Sequence, residues 1–461
     1  MHIFRTSTRS HWLANARQLT VGWLLVGLPL GAAWSAPAAN PPSASLTDAA
    51  EAITTEGTPS HIASLTLRDA IVRAERGNPV LRAKQAQRAA AEGVSVEASA
   101  LLFNNPQLSL DAAARSVQQA GMGNERYRET GLGVSQSFEV AGQPGYRREG
   151  AQAALDALRL EIDDTRQQQR ADVAQRFYRV LALQQRVELE ALAARLFDET
   201  ARAVERRRAA GEDTRLDANV ARVEAERASN QLAQVREQLI EARSALAVPL
   251  QLPPEQLPQV SGDLGLDPLE YAEGDLMERA RSQPRLQALA LRQRSAQAKL
   301  KLAEAARYPD VTLGLSVGRE GPPGSRERVT RLTLSLPLPL FNQNQASIGT
   351  AFTETTQAEL EREAAERDAP AAVHALWLRL QSLRQRVERL QQSVIPTLSV
   401  NEQLSGKSLK AGQIGLLELI VANRQSIDAR RDLVDAQLDY HTTRLSLEAA
   451  AGWSGEPRGV F

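Results

Sequence analysis

The sequence predicts a mainly α-helical chain that carries two short pairs of membrane-type β-strands. Three observations predict it: the chain is one unit written twice, each unit switches its hydrophobic period from helical to alternating and back, and its helical stretches are too long for a compact domain. Self-similarity is the first feature to seek in a chain of this length. Leu65–Leu81 answers Asp275–Leu286, with Asn78-Pro79 matched by Gln283-Pro284. Pro106–Leu110 answers Pro309–Leu313, Ser135–Gly142 answers Ser335–Asn342, and Ala210–Asp217 answers Ala411–Glu418. The offsets lie between 200 and 205 residues, the drift that small loop insertions leave behind. The expected organisation is repeat 1 over 65–248, a Pro-rich linker over 249–268, repeat 2 over 269–452 and a tail over 453–461. Each repeat reads helix, strand, strand, helix, helix.

The N-terminus reads as an address. Arg5, Arg9 and Arg17 precede the apolar run Leu19–Leu28, and small residues follow at Gly31–Ala33 and Ala36–Ala38. That is the pattern of a secretory signal peptide, assigned to 1–36, and the apolar run is too short for a membrane anchor. Residues 37–64, rich in Pro, Ala, Ser and Thr, lack a hydrophobic period and read as a flexible arm. No later stretch is apolar enough to cross a membrane as a helix. An exported chain that enters a membrane must then do so as a β-barrel.

The strand pairs carry that expectation. Leu313 and Leu315 alternate with Thr312, Gly314 and Ser316, and Leu332, Leu334 and Leu336 alternate with Thr333 and Ser335. Period two gives one greasy and one wet face, and about ten residues suffice to span a bilayer as a tilted strand. These five leucines are assigned to the lipid-facing side. The first pair is weaker, with Leu108, Leu110, Leu132 and Val134 followed by Gln136 in the apolar register. Polar loops are expected over Ser116–Thr130 and Arg319–Arg328.

The helices flank the strands. Residues 147–210 contain no Pro or Gly after Gly150, and ~60 helical residues extend ~90 Å. The stripe Leu376, Leu380, Leu383, Val387, Leu390, Val394 steps as a heptad seam. Residues 67–103 and 214–247 are expected to lie end to end along one long helix. Pro370 and Pro396 are expected to bend the second long helix. Gly211 and Gly412 sit where a long helix must reverse, in a conformation that suits glycine.

Composition narrows the function. Lys+Arg and Asp+Glu stand at 55 each, so no basic field asks for nucleic acid. Cysteine is absent and histidines number five, too few and scattered for a metal centre, and His374 and His441 have no second His nearby. No Gly-rich phosphate loop, nucleophile elbow or zinc helix occurs. The chain is expected to be non-enzymatic and without cofactor. The alternative to a membrane duct is a periplasmic coiled-coil adaptor or scaffold, which explains the heptads but not the strand pairs. Four strands cannot close around anything, because about eight is the practical minimum. A barrel built from them must be shared between subunits.

Two segments resemble a known family. Val394-Ile-Pro396 leads through Leu404 and Leu409–Gly412 to Leu416–Ile420 and Ala422–Gln425. Together with Pro337–Asn342, it resembles the outer-membrane efflux factors, the TolC-like channels, and is similar in particular to their heavy-metal cation-efflux branch. The resemblance covers residues 65–452. It implies a homotrimer whose four strands per subunit close a twelve-stranded barrel in outer-membrane lipid, continued by an α-helical tunnel. It implies two partners, a periplasmic adaptor (membrane fusion) protein and an inner-membrane resistance-nodulation-division pump. It places adaptor-docking tips at Gly211, Glu212, Asp213, Gly412 and Gln413, and a periplasmic gate at Glu418, with Asp217 as its counterpart in the first repeat. An acidic residue in a helix's first turn also simply suits the helix dipole. The acylated N-terminal cysteine of many relatives is absent here.

Overall fold

The computed structural model describes residues 64–117 and 125–453. The signal segment, the arm up to residue 63, the tip of the first hairpin and the tail beyond Trp453 lie outside them. The described residues all belong to one of the chain's two compact units, His61–Phe461.

The elements run α1 (Leu67–Gly77), α2 (Pro79–Ala98), β1 (Gln107–Val117), β2 (Glu125–Phe138), α3 (Gln143–Ala209) and α4 (Arg215–Ala247). They continue as α5 (Glu273–Arg281), α6 (Pro284–Ala305), β3 (Val311–Glu320), β4 (Glu327–Ser335), α7 (Gln345–Arg389), a π-turn (Leu390–Val394), α8 (Ile395–Lys410) and α9 (Leu416–Ala450). The order of helices and strands in the first half recurs in the second.

The expected helix over 67–103 is two helices, and the reason is local. Pro79 excludes Asn78 from the helical region, and Asn78 is extended at φ −60°, ψ 119°. Its N–H still donates to Ala74, while its side-chain oxygen accepts from Val80 N at 2.8 Å. One residue thus ends α1 and caps α2. Gln283 before Pro284 breaks the second unit at the matching place. α2 also stops at Ala98, short of the expected end.

The two prolines of the second long helix act differently on it. Pro370 lies inside α7 without ending it. The interruption comes just before Pro396, where Ile395 N–H donates to Leu390 C=O, five residues back. Proline lacks an N–H and crowds the preceding turn. The wider π-turn absorbs that misfit without breaking the rod.

The 67 residues of α3 extend about 100 Å, and α1, α2, α4, α6 and α9 all pack on this helix. Alanine lines many of the contacts, with Ala153, Ala157, Ala174, Ala182 and Ala193 all buried. Gly150 allows α6 close, so that a Cβ there would stand 3.5 Å from Ala298 Cβ, and Ser295 Oγ donates to Gly150 O at 2.8 Å.

Two larger cores flank this spine. Val173, Phe177, Val180 and Leu181 of α3 meet Ala70, Ala74, Leu246 and Leu250. The segment expected as a linker is part of this core, since Val260 and Leu264 are buried in it. Leu65 pairs there with the Val260 segment, Leu65 N donating to Gln259 O and Ser261 N to Leu65 O. Proline density marks turns here, not looseness. A second core gathers Leu276, Val373, Leu380, Tyr440 and Leu447 from α5, α7 and α9. None of the described helices is long and apolar enough to cross a membrane.

Candidate functional site: the strand sheet and the helical turns

The four strands form one antiparallel sheet in the order β1-β2-β3-β4. β1 and β4 are its two edges. The register assigns every side chain to a face, because directly paired residues project the same way. Leu108 pairs with Val134, Val134 with Leu315, and Leu315 with Leu332. The next row joins Leu110, Leu132, Val317 and Thr330, and another joins Gln136, Leu313 and Leu334. The leucines of both strand pairs therefore share one face. That face is bare in the protomer, with Leu110 77% and Leu332 76% exposed.

The opposite face is small and polar. Ser109, Gly133, Ser316 and Arg331 form one row there, and Ser135, Gly314 and Thr333 a second. A Cβ at Gly133 would stand 2.7 Å from Ser109 Oγ and 3.1 Å from Ser316 Cβ. At Gly133, therefore, a larger residue would crowd both neighbouring strands. Two arginines of this face are paired, Arg115 with Glu129 at 3.5 Å and Arg331 with Glu320 at 3.3 Å.

The strands run further into the hairpins than alternation of apolar residues indicates. β2 begins at Glu125 and β3 continues to Glu320, because ladder hydrogen bonds do not require apolar side chains. In the other direction β4 ends at Ser335. Leu336, expected in the lipid-facing strand, lies one residue beyond it. Pro337 and Pro339 have no N–H to give a ladder, and Leu340 N donates instead to Leu338 O two residues back, at 2.9 Å.

At the far ends of the helices stand the two glycine turns. Gly211 has φ +81°, its N–H donates to Arg208 O, and Glu212 N–H donates to Arg207 O. Gly412 has φ +71° and repeats the arrangement, its N–H reaching Leu409 O and Gln413 N–H reaching Ser408 O. Both are the two-bond C-cap that the left-handed residue makes possible. Arg207 also pairs with Asp213 at 3.0 Å and with Glu212 at 3.5 Å. Glu212 and Gln413 are exposed.

The two turns lead into differently capped helices. Thr214 caps α4, and Asp217 in its first turn accepts from the Thr214 hydroxyl at 2.6 Å and its N–H at 3.1 Å. These hydrogen bonds hold the Asp217 carboxyl below the usual carboxylate range. Glu418 occupies the same position in α9, but its N-cap is Gly415, which has no side chain to offer. The Glu418 carboxylate folds back over Gly415, 2.8 Å from where a Cβ would be, and makes no hydrogen bond or ion pair among the described residues. Glu418 is exposed.

Other polar residues are structural. His441 is buried, stacks on Tyr178 with ring centroids 4.2 Å apart and meets Leu264 O at 3.2 Å. Burial pushes its imidazole below the ordinary histidine range. His374 pairs with Glu273 at 2.6 Å. Periodicity gave no sign of Glu190, which is fully buried on α3 and grips Arg431 of α9 through both carboxylate oxygens. A polar residue inside a helical stripe was the only available signal. No cluster of three or more His, Asp or Glu able to hold a metal ion occurs among the described residues.

Relatives share this architecture. The family model for outer membrane efflux proteins matches residues 70–250 and 277–453. The chain is 27% identical over 293 residues to the cobalt-zinc-cadmium resistance protein CzcC of Cupriavidus metallidurans, a match that covers 64% of this chain and 66% of that protein, just under two thirds of its length. It is 25% identical over 409 residues to the pyoverdine export outer membrane protein OpmQ of Pseudomonas putida, covering 84% and 86% of the two chains. Among solved structures, CusC superposes with a TM-score of 0.69 at 18% identity, over 85% of this chain and 93% of that one. At that identity the likeness speaks for the fold. With both halves of the chain matched by one model, the protein belongs to the outer membrane efflux protein family.

Proposed function

We propose that this chain is the outer-membrane channel subunit of a tripartite efflux system, conducting its cargo passively outward. As a family member it is an outer-membrane efflux protein and not an enzyme. The observation that carries the reading is the sheet, with an exposed leucine face, a face of Gly, Ser and Thr behind it, and two open edges. In lipid, unpaired edge groups cost several kcal/mol each, so β1 and β4 must pair with strands of other subunits. Three protomers bring twelve strands, enough to enclose an aqueous lumen. The small polar face then lines that lumen, and the leucine face, including Leu313, Leu315, Leu332 and Leu334, meets lipid.

The helices continue the duct into the periplasm, with the Gly211 and Gly412 turns at its far end. There Glu212, Asp213 and Gln413 face a periplasmic adaptor protein, and an inner-membrane pump supplies the energy that a passive tube lacks. A heavy-metal cation is the favoured cargo, supported by the likeness to CzcC and by the Pro337–Asn342 segment. The likeness to OpmQ makes a siderophore the second reading. Deleting the gene and measuring resistance to cobalt, zinc and cadmium tests the cargo. Recovery of heat-modifiable trimers from outer-membrane fractions, with channel steps in planar bilayers, tests the duct. A soluble periplasmic species without channel activity would instead support an adaptor or scaffold.

A further inference from the structure

The outward face of the sheet changes character towards its hairpin ends. From Phe138 to Thr130, β2 runs about 27 Å, or ~20 Å of height at the usual tilt, close to the apolar band of a membrane barrel. Immediately beyond it the register places Arg126, Arg128, Arg319 and Arg328 on this same face. Arg319 pairs directly with Arg328 across the β3–β4 ladder, and also with Thr130, two residues from Arg128. Arg128 and Arg126 pair with Ala114 and Ser116 of β1. All four are exposed, and none has an ion-pair partner among the described residues.

The other face is arranged differently. Arg115 and Arg331 point the opposite way, and each has its carboxylate, Glu129 and Glu320. Acids thus stand beside the inward arginines, while the outward ones are left with each other. Like charges directly opposite on a sheet are destabilising. A lipid-facing arginine is also costly at the bilayer midplane and tolerated only near the interface. A set of four at the rim of an apolar band suits an anion held at that depth.

We infer that Arg126, Arg128, Arg319 and Arg328 form a binding site for the phosphorylated headgroup of a glycolipid in the outer leaflet. The inference rests on the reading that the leucine face meets lipid. The hairpin ends lie opposite the strand ends that join the helices, and the helices occupy the periplasmic side. The arginines therefore face the outward leaflet, whose principal lipid in a Gram-negative outer membrane carries phosphates on its sugars. Guanidinium groups match phosphate geometry bidentately. Continuity with the apolar band favours a lipid over a dissolved anion, because acyl chains of the same molecule would lie along Leu110, Leu132 and Val317.

The test uses the purified full-length assembly in phosphatidylcholine vesicles containing bis-phosphorylated lipid A, or the same lipid A stripped of both phosphates. Retained glycolipid per channel and melting temperature are read. The native protein should retain the phosphorylated form and gain melting temperature from it, but not from the stripped form. Replacing all four arginines by Gln should weaken retention about fivefold per residue removed, with conductance steps unchanged, whereas four Lys should keep most of it. If the fourfold Gln variant does not assemble, Arg319→Gln/Arg328→Gln gives the same comparison. Equal retention of both lipids, unchanged retention by the Gln variants, or equal protection by inorganic pyrophosphate in detergent would each overturn the site. Leu334→Arg separates this from the underlying reading. If that variant inserts as well as the native chain, the lipid-facing assignment has failed, whereas a conducting Gln variant with native retention sinks the arginine site alone.

Discussion

Thr214 and Asp217 hold each other across the start of α4, hydroxyl to carboxylate at 2.6 Å and Asp217 N to Thr214 Oγ at 3.1 Å. The reciprocal bonds satisfy two N–H groups that a helix start otherwise leaves without partners. The carboxyl's lowered pKa fixes the sign of its pH dependence. The contribution is fully present above the unfolded value of about 3.9 and is lost as pH falls through the lower folded value. Thermal melts should show Asp217→Ala less stable than native at pH 7, with the gap narrowing in that acid range. A gap that widens on acidification would contradict the capping role.

Leu334 and Thr333 are neighbours on opposite faces of β4, Leu334 paired with Leu313 and Thr333 with Gly314. Leu334→Arg puts a charge into lipid in the row of Leu313 and Gln136, towards one end of the apolar band, at a cost below the ~2–4 kcal/mol of the midplane. Over three subunits this should deplete assembled trimers in outer-membrane fractions. Thr333→Arg faces the lumen and should assemble. Reversed tolerances would mean that the leucine face lines the lumen.

Glu212 and Gln413 come directly after the two left-handed glycines and are exposed at the turns. Trp at both positions should abolish resistance in cells while leaving trimers and single-channel conductance intact, because only the adaptor contact is blocked. Normal efflux by the double variant would remove the turns from the docking surface.

Glu190 is the buried anion that ties α3 to α9. Removing one partner of a buried pair leaves an uncompensated charge and costs about 3–5 kcal/mol. Here the lower end applies, since Arg431 keeps Asp428 at 2.8 Å, and Arg186, which stands 3.6 Å from Glu190, keeps Asp435 at 2.9 Å. Glu190→Ala should lower the melting temperature, and Glu190→Leu with Arg431→Met should recover most of the loss.

Long-range order was legible in the sequence because it is written in periods. The alternation at Leu313, Leu315, Leu332 and Leu334 foretold β3 and β4, and the uninterrupted stretch after Gly150 foretold α3. What periods do not encode is not legible in the same way. Asn78 breaks the first helix through a single proline's effect on its neighbour, and Pro396 widens the turn before it into a π-turn. Val260 and Leu264 sit in a stretch whose prolines suggested a linker, yet they close a core that only tertiary contact defines. The outward arginines needed the register between strands, since Arg126 and Arg319 lie far apart in the chain. Of the candidate site, the turn glycines and the acid after each could be named, but not that one acid is tethered and the other free of partners.

That last difference bears on the gate. Asp217 and Glu418 occupy the same position of equivalent helices, yet Asp217 is spent on Thr214 while Glu418 faces Gly415. An untethered carboxylate can serve passing ions, and three around a trimer axis would form an acidic ring that favours cations. In planar bilayers Glu418→Gln should lower cation preference and weaken block by divalent ions, whereas Asp217→Asn should leave both near native. Gly415→Thr offers a sharper comparison, because it keeps every carboxylate. It recreates the Thr-x-x-acid cap at α9, so the helix start should gain stability while Glu418 is drawn into its own backbone. If Glu418 lines the constriction, this variant should melt higher yet show the reduced cation preference of Glu418→Gln. A higher melting temperature with native selectivity would leave Glu418 as a helix-start residue and place the gate elsewhere.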